Sequence, residues 1–177
     1  MTGVTLASML TATVTVFMSL LFARAAWHKA ADFTEFTGFV ADYQLLPERL
    51  VIPASAAIVA AEVLVVLLQL IPGGQVPGLL LGIAMLGVYA AGMAINIRRG
   101  RTTIECGCGG AGQPLGWSLV LRNLILMGMA ATAVATAPFV LDAAGAVAAL
   151  ASGLTLWTGF LLAEQILNND SIARLTR

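Results

Sequence analysis

Residues 76–110 read VPGLLLGIAMLGVYAAGMAINIRRGRTTIECGCGG, an uncharged apolar run that stops abruptly at three arginines and two cysteines. No charged side chain occurs between Val76 and Ile97. A helix of about 20 apolar residues spans a hydrocarbon core about 30 Å thick, so this run is long enough to cross. Its apolar residues are continuous rather than alternating, which selects a helix over a barrel strand. The polar stretch that follows holds the only two cysteines of the chain, Cys106 and Cys108.

The same pattern recurs on both sides. Only 10% of the residues are charged, against 59% hydrophobic; soluble domains carry about 25% charged residues. We expect one all-α, polytopic membrane domain over residues 1–177, with about five transmembrane helices and a four-helix-bundle core. The expected spans are Thr5–Lys29, Glu48–Ile71, Val76–Ile97, Leu115–Ala137 and Asp142–Leu167, followed by a short polar tail. The first is read as a retained helix, since Met1–Val4 has no basic flank and no convincing cleavage site follows. Between the first two spans, Asp32–Leu46 places Phe33, Phe36, Phe39, Val40 and Tyr43 at helical spacing among acidic residues. That segment is too short and polar to span, and reads as an amphipathic helix lying on or capping the bundle. A formal net charge of +0 gives no sign of a nucleic-acid partner.

Five spans put the first and third loops on one face, whatever the absolute orientation. Arg24, His28, Lys29 and the amphipathic segment therefore share a face with Cys106 and Cys108. The basic residues Arg24, Lys29, Arg49, Arg98, Arg99 and Arg101 all fall on this side, which by the positive-inside rule is cytoplasmic.

Cys106 and Cys108 are the first chemical candidates. Gly107 between them permits the bend that a bridge between i and i+2 requires. Such a small ring is strained, and strained disulfides are labile and oxidising. Arg98, Arg99 and Arg101, with the start of the next helix, would favour thiolate over thiol. Other readings are a static bridge or a soft-metal pair. Two sulfurs do not complete a zinc site even with His28 as a third ligand, so no metal is expected.

Glu62 is the second candidate, because a carboxylate in mid-span is costly and usually paired or functional. Its expected counter-charge is Arg122, in the fourth span, and the pair reads equally as a bundle clamp or as a proton-handling site. Arg24, His28 and Lys29 fall at i, i+4 and i+5 and share a helix face; snorkelling to headgroups is the plain alternative. Asn96, Asn123, Tyr89 and His28 lie toward the same end. They could serve a quinone carbonyl or a thiolate, or bond across helices.

The ordered set Arg24–Lys29, Phe33–Pro47, Ala61-Glu62, Asn96–Gly100, Cys106–Gly110 and Arg122-Asn123-Leu124 resembles the methylamine utilisation protein MauE family, within a wider DoxX-like group. The usual motif there is Cys-Gly-Cys-Phe-Gly; Gly109 stands here in place of the aromatic. The resemblance implies a membrane thiol-disulfide oxidoreductase that works with a thioredoxin-like CxxC partner in maturing periplasmic methylamine dehydrogenase. The arrangement is also similar to vitamin K epoxide reductases, which use two cysteine pairs and a quinone on the extracytoplasmic side. With one pair here, relay between two internal pairs is excluded. On this resemblance the supporting or quinone-site residues are Arg24, His28, Glu62, Asn96, Arg122 and Asn123, and a membrane quinone is the expected electron acceptor. The cysteine loop is then extracytoplasmic, on a multi-pass protein of the cell membrane, which suits a labile disulfide. The residues also fit a non-catalytic anchor for a thioredoxin-like protein or, more remotely, a thiol-based metal carrier.

Overall fold

A computed structural model describes residues 2–104, 114–136 and 141–175. Six helices follow one another: α1 (Thr2–Ala31), α2 (Phe33–Asp42), α3 (Glu48–Leu70), α4 (Gln75–Arg98), α5 (Trp117–Thr136) and α6 (Ala143–Leu175). Five of them, all but α2, are long and apolar enough to cross a membrane. The chain is an all-α polytopic membrane protein, as its sequence leads one to expect.

Helix boundaries follow local chemistry. Asp32 caps α2, its carboxylate accepting from the Glu35 N–H at 2.9 Å. α4 ends where Gly100 turns left-handed, at φ +75°. The Gly100 N–H bonds the Ile97 carbonyl and the Arg101 N–H bonds the Asn96 carbonyl, each at 3.0 Å. This double closure satisfies carbonyls that a helix end otherwise leaves open. Within α1, the hydroxyls of Thr11, Thr15 and Ser19 bond carbonyls one turn back at 2.8–3.0 Å, so that they are satisfied inside the span. Two boundaries differ from expectation. α2 stops at Asp42, because Gln44 takes a positive φ of 47°. The backbone of α6 continues past Leu167 to Leu175.

The helices α1, α3, α4 and α5 form the four-helix core. α1 packs against α3 and α5 and also meets α4 across the bundle, while the backbones of α3 and α5 stand apart among the described residues. Val14, Phe17, Met18, Phe22, Val65, Leu79, Leu86 and Leu126 fill the centre. α6 packs on the outside of α1, where Gly153 allows a close approach. A Cβ at Gly153 would lie 2.6 Å from Val16 Cγ1 and 3.1 Å from the Thr13 carbonyl oxygen.

α2 lies against α1 and α3 and reaches α4 at its C-terminal end. The Tyr43 ring sits over Gly92, where a Cβ would come within 3.4 Å of it. Arg99 donates to the Gln44 carbonyl at 3.5 Å. The first and third loops are thus joined directly. The Leu115 N–H bonds the Thr102 carbonyl at 3.0 Å, drawing together the two ends of the segment that carries the cysteines. Cys106 and Cys108 themselves lie outside the described residues.

Candidate functional site

The C-terminal ends of α1, α4 and α6 and the N-terminal ends of α3 and α5 share the cysteine-loop side of the bundle. Into this half the fold gathers two clusters of charge. The first is buried. Glu62 on α3 is 0% exposed and Lys29 on α1 is 4% exposed. Lys29 Nζ lies 2.6 Å from Glu62 Oε1, and the Tyr89 hydroxyl from α4 donates to the same oxygen at 2.6 Å. The ammonium also stands 5.4 Å from the Phe36 ring centre and 5.3 Å from that of Tyr89, within cation–π range of both.

This corrects the expected pairing of Glu62 with Arg122. Lys29 is the partner, because the end of α1 turns its lysine inward beneath α2 rather than out toward headgroups. The shared face expected for the basic residues of α1 is divided accordingly. His28 and Trp27 are exposed, whereas Lys29 is buried. From the sequence alone Lys29 shares an interfacial helix face with Arg24 and His28. The available signal was that it is the chain's single lysine, placed about one helical span from the first turn of α1.

Arg122 belongs to the second cluster. Glu164 on α6 accepts from Arg122 Nη1 at 2.5 Å through Oε1 and from Arg24 Nη1 at 3.2 Å through Oε2. These side chains are about one-fifth to one-quarter exposed, at 20%, 27% and 19% for Arg122, Arg24 and Glu164. The Arg122 guanidinium stands 5.9 Å from the Phe160 ring centre. In the sequence Glu164 is simply a carboxylate near the end of the fifth span. Its role appears once α6 is packed on α1, so that one carboxylate receives cations from two other helices.

A cavity of about 40 Å³ separates the clusters, lined by Arg24, Glu62, Tyr89, Arg122, Asn123 and Glu164 among apolar neighbours. Two buried polar atoms of these residues, Glu62 Oε2 and Arg122 Nε, have no hydrogen-bond partner among the described residues. The space exceeds the roughly 10–15 Å³ that a water requires, and a water there would have a carboxylate and a guanidinium to bond. Asn123 is 1% exposed and donates to the Leu119 carbonyl at 2.8 Å. Asn96 is fully buried and donates to the Gly92 carbonyl at 3.2 Å, but lines neither this cavity nor the larger one beneath α2.

That larger cavity, about 230 Å³, lies between α2, α3 and α4. Phe36, Phe39, Val40, Tyr43, Ile58 and Val88 form apolar walls, and Lys29 and Tyr89 supply its polar groups. The Lys29–Glu62–Tyr89 cluster therefore stands between two cavities, with Tyr89 lining both.

A family model described as "Methylamine utilisation protein MauE" matches residues 7–136. Three proteins named "Methylamine utilization protein MauE" are similar. That of Paracoccus denitrificans is 42% identical over 123 residues, covering 65% of this chain and 63% of that protein. That of Paracoccus versutus is 37% identical over 140 residues, 78% of this chain and 74% of that protein. That of Methylorubrum extorquens is 36% identical over 149 residues, 81% and 80% respectively. The chain thus spans less than two-thirds of the Paracoccus denitrificans relative. No solved structure matches it.

Proposed function

The chain belongs to the methylamine utilisation protein MauE family, and from that premise we propose a membrane thiol-disulfide oxidoreductase serving methylamine utilisation. Cys106 and Cys108 exchange a disulfide with a thioredoxin-like CxxC protein. A thiolate of the partner attacks the Cys106–Cys108 bond, forming a mixed disulfide and releasing one cysteine of the pair. The partner's second thiolate then attacks the partner's own sulfur in this mixed disulfide and displaces the cysteine still bonded to it, so that the partner leaves oxidised and Cys106 and Cys108 remain as a dithiol. A membrane quinone takes the two electrons and two protons, restoring the disulfide and leaving as quinol. The oxidised partner goes on to mature an extracytoplasmic client.

One observation carries this reading. The flanks of the cysteine-bearing segment, Thr102 and Leu115, are bonded to each other on the side of the bundle toward which both charge clusters lie. Of the charged residues flanking the segment itself, Arg98, Arg99 and Arg101 precede the cysteines, and cationic neighbours favour a thiolate. Arg24 and Lys29 meet carboxylates of other helices rather than lipid headgroups, so they act here as parts of the bundle. The proposal places the cysteine segment on the extracytoplasmic side of the cell membrane.

The test is disulfide trapping. Cys106→Ser and Cys108→Ser variants, each expressed with a thioredoxin-like CxxC protein, are run on non-reducing gels after acid quenching. One single variant is expected to accumulate a reducible mixed disulfide. If neither does, and the double Cys→Ser variant still supports maturation of the client, the exchange reading gives way to that of a membrane anchor.

A further inference from the structure

We propose that the cavity beneath α2 is a binding site for a lipid-soluble, ring-bearing carbonyl compound of the quinone class. Lys29 faces its oxygen, and the Tyr89 ring flanks the ammonium. The inference deepens the exchange reading, on which it rests for the identity of the oxidant, by giving that oxidant a place.

Size and shape come first. At about 230 Å³, the cavity exceeds the roughly 150 Å³ that suffices to bind benzene in an apolar core. Its walls include the rings of Phe36, Phe39 and Tyr43, and Gly92 opposite Tyr43 adds no side chain. Flat ligands suit such walls through offset or edge contacts. Access is from the bilayer: the lining residues Val88 and Leu46 are 60% and 41% exposed, and Val88 lies well within the span of α4.

The polar end then selects the head of the ligand. An ammonium carries three N–H donors. Lys29 is more than nine-tenths buried and spends one of them, on Glu62, among the described residues. Its ring contacts with Phe36 and Tyr89 stabilise the charge without accepting in the plane of a lone pair. Donors left without acceptors in an apolar site are costly, and a carbonyl oxygen entering this cavity meets them. A saturated acyl chain would fill the volume and leave them unmet. Glu62 holds Lys29 and Tyr89 in position through one oxygen, Oε1, which both reach at 2.6 Å. Glu62 is accordingly a positioning residue, outside the lining of this cavity.

Binding is measured with the full chain carrying Cys106→Ser and Cys108→Ser in detergent micelles, so that failure of thiol exchange leaves this result intact. The probe is a tritiated benzoquinone with a decyl tail, and decylbenzene is the competitor lacking oxygens. Saturable binding is expected, with decylbenzene at least about tenfold weaker, the factor that one hydrogen bond worth about 1.4 kcal/mol supplies. The paired variant Lys29→Met/Glu62→Gln keeps the charge balanced and is expected to erase the preference for the quinone over decylbenzene. Val88→Phe narrows the mouth from a lipid-facing position, away from the ion cluster, and is expected to weaken both compounds alike. The site is refuted by absence of saturable binding, by equal affinity for decylbenzene in the parent, or by a preference that survives in the folded paired variant.

Discussion

Glu62 and Glu164 each bind cations from other helices at the same end of the bundle, but in different surroundings. Glu62 is wholly buried, with one lysine and one tyrosine on a single oxygen. Glu164 is 19% exposed and spreads two arginines over its two oxygens. The second arrangement is the inexpensive one. Its charges keep partial hydration, and each oxygen has its own planar donor, the geometry that suits guanidinium to carboxylate. The first confines a compact ammonium and a carboxylate away from bulk water, and leaves Glu62 Oε2 and part of the lysine's donor capacity unspent among the described residues. A cluster that only fastened helices would favour the Glu164 pattern. The unspent capacity at Lys29–Glu62 lies between two cavities, where a ligand or a water can use it.

The contrast is most exposed to a test at Lys29. Lys29→Met leaves a buried carboxylate without its counter-charge and is expected to cost about 3–5 kcal/mol, read from equilibrium unfolding in SDS titrations. Adding Glu62→Gln removes the orphaned charge and should return more than half of that loss. If the single and paired variants are equally unstable, the damage is one of packing, and the electrostatic account of the cluster is wrong.

Glu164→Gln should be milder, about 1 kcal/mol, because its partners are one-fifth to one-quarter exposed and retain solvent. The two clusters should also part in their response to salt. Raising ionic strength should shrink the Glu164→Gln effect and leave the Lys29→Met effect nearly unchanged, since buried pairs are little screened. Equal salt dependence in the same titrations would show that water reaches both sites alike. The smallest effect is expected at His28, one residue from Lys29 but exposed. His28→Ala should change stability by less than about 0.5 kcal/mol and leave quinone binding unaltered. A larger change would show that His28 acts on the buried cluster despite its exposure.

The architecture was legible before any packing was known. Runs such as Val76–Ile97 have the length and continuity of a span, and Pro72-Gly73 and Gly100 mark where helices stop. Phe33, Phe36, Phe39, Val40 and Tyr43 at helical spacing announce an amphipathic helix, and the structure adds its cap at Asp32. Glu62 stood out on composition alone, since a lone carboxylate in an apolar run demands an explanation. Its partner did not. Arg122 was the natural candidate on depth, whereas Lys29 lies in what reads as an interfacial stretch beside Trp27 and His28. Only the placement of α2 over the end of α1 covers Lys29 and turns it inward. Gly92 likewise reads as a packing residue, and only the seating of Tyr43 on it shows that it shapes a cavity wall.

The sequence by itself determined that this is a helical, membrane-spanning chain whose first and third loops share a face with its two cysteines. Local composition is sufficient for that, because a bilayer rewards continuous apolar length and the alternation of sides follows from counting. The tertiary structure decided which charges meet. Lys29 joins Glu62 and Tyr89 across three helices, and α6 brings Glu164 to Arg24 and Arg122. Ion pairing at close range depends on helix rotation and depth to within an ångström or two, and neither is encoded in spacing along a single segment.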